Sequence, residues 1–259
     1  MSDQFRRDES DGVVTITFTR DDKLNAVSEQ MLDGLRSAVH DLAERDDLQV
    51  LVITAEGRYF TAGIDIGGLP TQRSEYGTSV RRDYRKLHLL FDEFEAVEKP
   101  VVLAAQGPCL GVGVEMASSC DFRLAADSAI FGLPEVVNLA VIPGSGGISR
   151  LTRLIGPHWA RWIALACQNI DAEHARQIGF VHEVVAAGDF AARVQAFARE
   201  LAALPRDAVG LAKLAIDAAA DSDRVTARNM DRIANTALIT SEDHISRVRA
   251  FTAKSAAKK

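Results

Sequence analysis

Several residue types and patterns are scarce in this sequence of 259 residues. Cysteine occurs only at Cys109, Cys120 and Cys167, an odd number without metal-binding spacing, so we expect reduced thiols and a reducing compartment. The six histidines are scattered, with no His-x-x-x-His pair, so we predict no metal site. No stretch approaches the roughly 20 apolar residues that cross a bilayer, so we expect no membrane partner.

Negatively charged residues outnumber positively charged ones. The formal net charge is −6 at pH 7, whereas surfaces that bind phosphates are basic, so we expect no nucleic-acid partner. Arg81, Arg82 and Arg85 form a cluster typical of a solvated helix face. The first residues lack an apolar run and contain an acid, so no targeting peptide is expected. Together these features predict a cytoplasmic protein.

What is present is a large apolar fraction, 47% of the residues, which can fill a full core. Residues 13–19 alternate like a half-buried strand, and a turn at 11–12 joins them to a first strand near Phe5. Ser28 is a predicted N-cap for a helix to about Glu44. Short apolar runs predict strands buried on both faces, at residues 50–54, 101–105 and 122–125.

The second half of the pattern is increasingly helical. A loop at residues 67–78 precedes a charged helix over 80–97, and Asp171 caps a short helix that Gly179 ends. A strand is predicted at 181–185, and from Asp189 onward the periodicity is only helical. We therefore predict an α/β core over residues 1–190 and a helical C-terminal extension over 191–259.

Three turns that contain glycine follow predicted strands. They span residues 60–66, 107–115 and 131–135, and the last two end in Glu115 and Glu135. Glycine allows a positive φ, so the chain can leave a strand and direct the next N–H away from the ladder. Two acids beside two such amides can bind a carbonyl oxygen and move protons next to it.

The first two turns are candidates for backbone donors. After Gly63 the Ile64 amide can point at a substrate oxygen, although Asp65 can equally be the N-cap of an ordinary turn. After Gly111 the Val112 amide begins a predicted helix and lies at the positive end of its dipole. The alternative is that these glycines only allow a helix to pack closely on a sheet.

The two glutamates also have a catalytic and a structural interpretation. Glu115 falls in the first turn of the predicted helix among apolar neighbours, and burial would raise its pKa and suit acid–base catalysis. An acid at that position can instead simply stabilise the helix dipole. Glu135 follows Pro134, which restricts the backbone, and its alternative is a solvated loop acid.

Taken together and in order, a set of segments resembles the enoyl-CoA hydratase/isomerase (crotonase) family. The segments are RDDKLNA (20–26), FTAGIDI (60–66), LGVGVE (110–115), DFR (121–123), FGLPE (131–135) and IPGSGG (142–147). The ordered set with its spacings is specific and covers most of the chain. The resemblance implies an α/β fold, a spiral of repeated β-β-α units with a helical C-terminal region. It also implies a homo-oligomer, either a trimer or a dimer of trimers.

The resemblance further implies roles for individual residues. The oxyanion donors would be Ile64 N–H and Val112 N–H; the family often has glycine at the second position. The coenzyme A and substrate site would include Lys23, Leu24, Ala26, Ala62, Gly63, Asp65, Ile66, Leu110 and Gly111. Within that set, the adenine side would be lined by Ala62, Asp65 and Ile66. Phe251 and Lys254 resemble a C-terminal Phe-x-x-Lys that often completes the coenzyme A site, sometimes from a neighbouring subunit.

The reaction implied is syn addition of water to a trans-2-enoyl-CoA, because Glu115 and Glu135 fill both acid–base positions of the hydratases. Coenzyme A is then part of the substrate, and no cofactor is expected. The segment 69–84 is unusual and, by the resemblance, lies where the family shapes the acyl pocket. It keeps open an isomerase or a hydratase-lyase acting on a bulky or aromatic acyl-CoA. A non-catalytic RNA-binding homologue is the least favoured alternative, since the chain is acidic overall.

Overall fold

The computed structural model describes residues 4–68 and 77–256 of the chain. Its strands are Phe5–Ser10 (β1), Val13–Phe18 (β2), Val50–Ala55 (β3), Val101–Ala105 (β4), Cys109–Leu110 (β5), Phe122–Ala126 (β6), Ile130–Gly132 (β7), Ile170–Asp171 (β8) and Glu183–Val185 (β9). A six-stranded sheet has the order β1-β2-β3-β4-β6-β9, and a three-stranded sheet has the order β5-β7-β8. In the larger sheet only β1 is antiparallel to its neighbour.

The helices lie between and after these strands. They are Glu29–Glu44 (α1), Thr78–Ala96 (α2), Val112–Ser119 (α3), Glu135–Leu139 (α4), Gly147–Ala160 (α5), Ala172–Gln177 (α6), Phe190–Ala202 (α7), Arg206–Asp221 (α8), Arg224–Ile239 (α9) and Glu242–Ala256 (α10). Among the described residues, no helix is both long enough and apolar enough to cross a bilayer. The same residues contain no cluster of His, Cys, Asp and Glu suited to a metal ion.

The element order repeats in units of two extended segments and a helix. The first segment of each unit, β3, β4 or β6, joins the larger sheet. The second segment leaves it: Thr61 forms a parallel bridge with Cys109 of β5, and β5 pairs in parallel with β7. A helix then follows, which is α2, α3 or α4. Successive units therefore bring their second segments side by side, and each glycine turn lies next to the turn of the next unit.

Local signals explain the elements that the sequence predicts well. Ser28 Oγ accepts a hydrogen bond from Met31 N, which caps α1. The helix buries its large apolar side chains, Met31, Leu32, Leu35, Val39 and Leu42. The turn between β1 and β2 has positive φ at Asp11 and Gly12, as tight hairpins require. Asp171 caps α6 by accepting from His174 N. Strands β3, β4 and β6 lie where they are predicted.

Other elements differ from the prediction. β5, β7, β8 and α4 are two to five residues long, too short for hydrophobic periodicity to reveal. The strand predicted from residue 181 begins at Glu183. The turn at 142–147 predicts a helix that runs through Leu154, but the observed helix continues to Ala160, with a non-helical residue at Gly156.

The chain divides into two compact units, Met1–Ala202 and Ala203–Lys259. The first unit includes α7, because that helix buries Phe190, Val194, Ala198 and Leu201 in a cluster with β2, β3, β4 and β6. The second unit contains α8, α9 and α10. A role for the extension in oligomerisation and in the coenzyme A site stays a prediction.

A buried arginine holds the end of α3. Arg123 is only 4% exposed, and its guanidinium donates to the carbonyl oxygens of Ala117, Cys120 and Phe180. The carbonyls at the end of a helix otherwise lack partners. Arg123 therefore fixes the C-terminal end of the helix whose first turn carries Glu115.

Candidate active site

Two glycine turns come into direct contact. Gly63 has a φ of +111°, and Gly111 has φ +56° and ψ −124°, conformations that residues with a side chain rarely adopt. A Cβ added to Gly111 would lie 3.4 Å from the Cα of Gly63. The turns therefore pack backbone against backbone. As a result, the residues that follow them, Ile64 and Val112, lie close to each other.

The Ile64 amide points away from its bridge partner. In the parallel bridge between Val27 and Ile64, Val27 N donates to Gly63 O at 2.8 Å and Asp65 N donates to Val27 O at 2.9 Å. Both bonds use the residues on either side of Ile64, so its own N–H faces the other way. Within the described part of the chain this N–H has no hydrogen-bond acceptor.

The Val112 amide is the first N–H of α3. Gly111 N donates to Gly132 O at 2.9 Å, and the first helical bonds run from Val114 N and Glu115 N to Gly111 O. The first N–H groups of a helix have no partner within it, and they carry the positive end of its dipole. The amides of Ile64 and Val112 are thus two donors on adjoining turns.

Thr61 connects the two turns. Its Oγ1 donates to Asn25 O at 2.7 Å and accepts from Gly63 N at 3.1 Å, while its carbonyl accepts from Leu110 N at 3.0 Å. A Cβ on Gly113 would collide with the Thr61 methyl group. Gly113 is therefore needed for close packing against Thr61, whereas Gly111 is needed for its positive φ. Each of the two predicted roles of this glycine pair applies to one of the residues.

Glu115 is buried at 4% exposure but keeps hydrogen bonds to its carboxylate. Its Oε1 accepts from Ser145 N at 2.7 Å and from Gly147 N at 3.2 Å. Burial raises the pKa of Glu115, and the amide hydrogen bonds act against that rise. The amides favour the ionised form, so this carboxylate is equipped to accept a proton.

Glu135 has a different environment. It is the first residue of α4, and its Oε2 is buried without a partner among the described residues. Burial, together with the charge of Glu115, raises the pKa of Glu135 to about 7. An acid with such a pKa holds its proton near neutrality and can donate it.

Gly111 connects Glu135 to the amide donors. A Cβ on Gly111 would lie 3.0 Å from Glu135 Oε1 as well as 3.4 Å from the Cα of Gly63. The Glu135 carboxylate, the Gly63 turn and the start of α3 therefore surround one small space. A carbonyl oxygen bound by the two amides would have an acidic side chain within reach.

The residues expected at the coenzyme A site form a connected group. Ala62 N donates to Leu24 O at 2.9 Å. Arg20 Nη1 donates to Ala26 O at 3.0 Å and to Asp65 Oδ2 at 2.6 Å, and this hydrogen bond from Arg20 lowers the pKa of Asp65. Arg20 thus joins the 20–26 loop to the segment that follows the first glycine turn.

The remaining expected contacts are more exposed. Lys23 is exposed, and Ile66 is exposed by 63%. Phe251 and Lys254 lie on α10 in the second unit, and both are exposed. Of the 69–84 segment that we expect to shape the acyl pocket, residues 69–76 lie outside the described residues. Binding roles for all these residues stay predictions.

Several residues that support the site are not in the predicted set. Asn25 is fully buried, and its amide donates to Glu56 O and Tyr59 O at 2.8 Å. Ser145 and Gly147 supply the amides that bind Glu115. The clue in the sequence for these two is the glycine-rich turn at residues 142–147, because such turns present backbone N–H groups.

Comparison with known proteins places this geometry in context. A family model described as enoyl-CoA hydratase/isomerase matches residues 8–258. A short-chain-enoyl-CoA hydratase of Clostridium acetobutylicum is 32% identical over 244 residues, 93% of this chain and 92% of the relative. A 4-chlorobenzoyl coenzyme A dehalogenase-2 of Arthrobacter sp is 34% identical over 205 residues, 79% of this chain and 74% of the relative.

Solved structures agree with the sequence comparison. The crystal structure of enoyl-CoA hydratase from Bacillus anthracis matches with a TM-score of 0.89 at 31% identity, covering 97% of this chain and 96% of that one. The predicted α/β fold of crotonase type, with its helical C-terminal region, is thereby confirmed.

The buried Glu135 carboxylate should destabilise the fold at alkaline pH. Its ordinary pKa is 4.5 and its pKa in the fold is about 7, so the folded state binds more protons between these values and stability falls as pH rises through them. We expect Glu135→Gln to raise Tm relative to the native protein at pH 8 and to raise it much less at pH 4.5.

The matched control is Glu173→Gln, because Glu173 is exposed on α6 and its hydrogen bond from Arg176 lowers its pKa. That variant should gain no stability at pH 8. Thermal unfolding of the three proteins at both pH values is the measurement. An equal effect of Glu135→Gln at both pH values would show that Glu135 does not carry a raised pKa.

Proposed function

Because this chain belongs to the enoyl-CoA hydratase/isomerase family, we propose that it adds water syn across the C2–C3 double bond of a trans-2-enoyl-CoA. The observation that carries the proposal is the meeting of the Ile64 and Val112 turns with Glu135 around Gly111. Buried carboxylates with raised pKa values destabilise a fold and are typical of catalytic sites.

In the proposed mechanism the two amides bind the thioester oxygen. Glu115 removes a proton from a water molecule whose oxygen attacks C3, and the electrons of the double bond move toward the thioester oxygen, which becomes an enolate. Glu135 then gives its proton to C2. A proton returns from Glu115 to Glu135, directly or through solvent, and restores the enzyme.

The assignment of base and acid follows from the two environments. Glu115 has two amide donors that stabilise its anion, as a base requires. Glu135 has an oxygen that no described residue donates to and a pKa of about 7, as an acid requires. The protein itself thus supplies the acid, the base and the oxyanion donors, and coenzyme A enters as part of the substrate.

A second candidate is an isomerase or a hydratase-lyase acting on a bulky or aromatic thioester. We retain this candidate because the name of the relative from Arthrobacter includes an aromatic thioester, 4-chlorobenzoyl coenzyme A. The same two donors and two acids could stabilise an enolate and move a proton between carbon atoms.

Removal of either carboxylate should abolish most of the hydration. We expect Glu115→Gln and Glu135→Gln each to lower kcat for crotonyl-CoA by about 10²–10⁴-fold, the range for a positioned acid or base. Hydration is followed by loss of the enoyl thioester absorbance, with Glu173→Gln as the control. Full activity in either active-site variant would refute the proposed mechanism.

A panel of substrates distinguishes the two candidates in the same assay. Hydration of short and longer 2-enoyl thioesters supports the hydratase. Turnover of only 3-enoyl or aromatic thioesters supports the second candidate and refutes the first.

The oxyanion donors are tested through the backbone of Gly111. A side chain at this φ and ψ is strained. Its Cβ would lie 3.0 Å from Glu135 Oε1 and 3.4 Å from the Cα of Gly63. We expect Gly111→Ala to displace the Val112 amide and to lower kcat by about 10²–10³-fold, the loss expected for one oxyanion donor.

Gly179→Ala is the matched control for backbone strain. Gly179 also has a positive φ, +84°, but an added Cβ there would have no neighbour within 4 Å. This variant should lose stability while its kcat changes little. If both variants lose activity equally, the effect of Gly111→Ala is general strain and not the loss of a donor.

We also propose that the protein is a homo-oligomer, a trimer or a dimer of trimers. Large apolar patches on a protein surface mark interfaces, and the second unit exposes Leu204, Leu214, Ile216, Val225, Ile233, Ile239, Val248 and Phe251. Light scattering should give three or six times the chain mass of 28.1 kDa. A particle of one chain mass would contradict this proposal.

A further inference from the structure

Residues 143–147 form a loop, here called the cradle loop. Glu115 contacts one side of this loop, and His88 and Arg150 contact the other side. Its inward amides, Ser145 N and Gly147 N, donate to Glu115 Oε1. Its outward carbonyls accept from two side chains: Gly144 O accepts from His88 Nε2 at 2.9 Å, and Ser145 O accepts from Arg150 Nη1 at 3.2 Å. Because a carbonyl only accepts, His88 carries its proton on Nε2 in this contact.

Arg150 is itself held firmly. It is 9% exposed, its Nε and Nη2 donate to Glu95 Oε2 at 2.9 and 2.7 Å, and its Nη2 also pairs with Asp92. A Cβ at Gly146 would collide with the Arg150 guanidinium. The arginine therefore lies directly against the cradle loop.

The partners of the cradle loop share one face of α2. His88, Asp92 and Glu95 are spaced four and three residues apart, so they lie on the same side of the helix. One of them contacts the loop directly, and the other two hold the arginine that contacts it. A series of contacts thus connects α2 to Glu115 through Arg150 and the cradle loop.

We propose that Arg150 is a positioning residue for Glu115, with His88 as a second support, and that α2 holds both. They keep the cradle loop in the one arrangement in which its amides bind the Glu115 carboxylate. This inference rests on the proposed function, in which Glu115 is the base. Arg150 itself touches neither substrate nor reacting atoms.

Loss of this support should change turnover more than binding. A loosened loop would no longer donate two amides to Glu115, and a base displaced by about 1 Å can lose about 10²-fold in rate. Without those donors the Glu115 carboxylate is less stable, so its pKa should rise. The other titratable groups that act on Glu115 and Glu135 are His88 and the two acids themselves.

The test is Arg150→Ala assayed with crotonyl-CoA over a range of pH. We expect kcat to fall about 10–100-fold, KM to change less than about threefold, and the acid limb of the pH–rate profile to move to higher pH. Added guanidinium ion should restore part of the activity, because it can occupy the place between Ser145 O and the carboxylates of α2.

Two comparisons separate positioning from general destabilisation. Arg153→Ala removes an exposed arginine from the same helix, α5, and should leave kcat and the pH profile unchanged. If Arg150→Ala does not fold, His88→Leu and His88→Gln provide the second test: leucine removes the donor to Gly144 O and should lower kcat, whereas glutamine can retain it.

The outcomes are distinct. An inactive native protein would refute the proposed function and leave the contacts of Arg150 without a catalytic role. An active native protein, together with an Arg150→Ala variant whose kcat and acid limb are unchanged, would refute the positioning role alone. An activity loss with an unchanged pH profile and without rescue by guanidinium would reduce Arg150 to a structural residue.

Discussion

The contact between Gly63 and Gly111 is the constraint on which the site depends. The Cα of Gly63 lies 3.4 Å from the place where a side chain at Gly111 would begin, and the φ and ψ of Gly111 are strained for any residue that carries a side chain. Among the described residues, neither Ile64 N–H nor Val112 N–H has an acceptor, because the bridge of Ile64 uses the residues on either side of it and Val112 N–H is the first of a helix. The absence of a side chain at Gly111 also leaves room for the Glu135 carboxylate.

The two carboxylates are made different by their surroundings and not by their chemistry. Both are glutamates, and burial raises the pKa of each. Amides from the cradle loop oppose this effect at Glu115, whereas Glu135 has an oxygen with no donor in the part of the chain that the structure describes, and it faces the charge of Glu115. In the proposed mechanism this difference makes Glu115 the proton acceptor and Glu135 the proton donor, as in other enzymes that use a pair of carboxylates.

Local patterns in the sequence were sufficient for the glycine turns, α1, the three buried strands and the placement of Glu115 in a first helical turn. They were insufficient wherever the partner is far along the chain. The contacts of His88 with Gly144 and of Arg150 with Glu95 join residues 56 and 55 positions apart, and no periodicity or cap reports them. The burial of the Glu135 Oε2 atom is equally hidden from the sequence, because the half-buried Glu135 lies next to the Gly111 turn, which is distant along the chain.

Under the proposed function, helix α2 connects catalysis to substrate choice. On its inner face it supports the cradle loop through His88 and Arg150. One turn before His88, Tyr84 packs on Gly144 of the same loop, with its Cε1 2.6 Å from where a Cβ would be, and remains 40% exposed. Tyr84 also lies at the end of the 69–84 segment expected to shape the acyl pocket. If the proposed function holds, a change in α2 that alters the acyl pocket acts on Glu115 as well, so acyl specificity and turnover are expected to vary together.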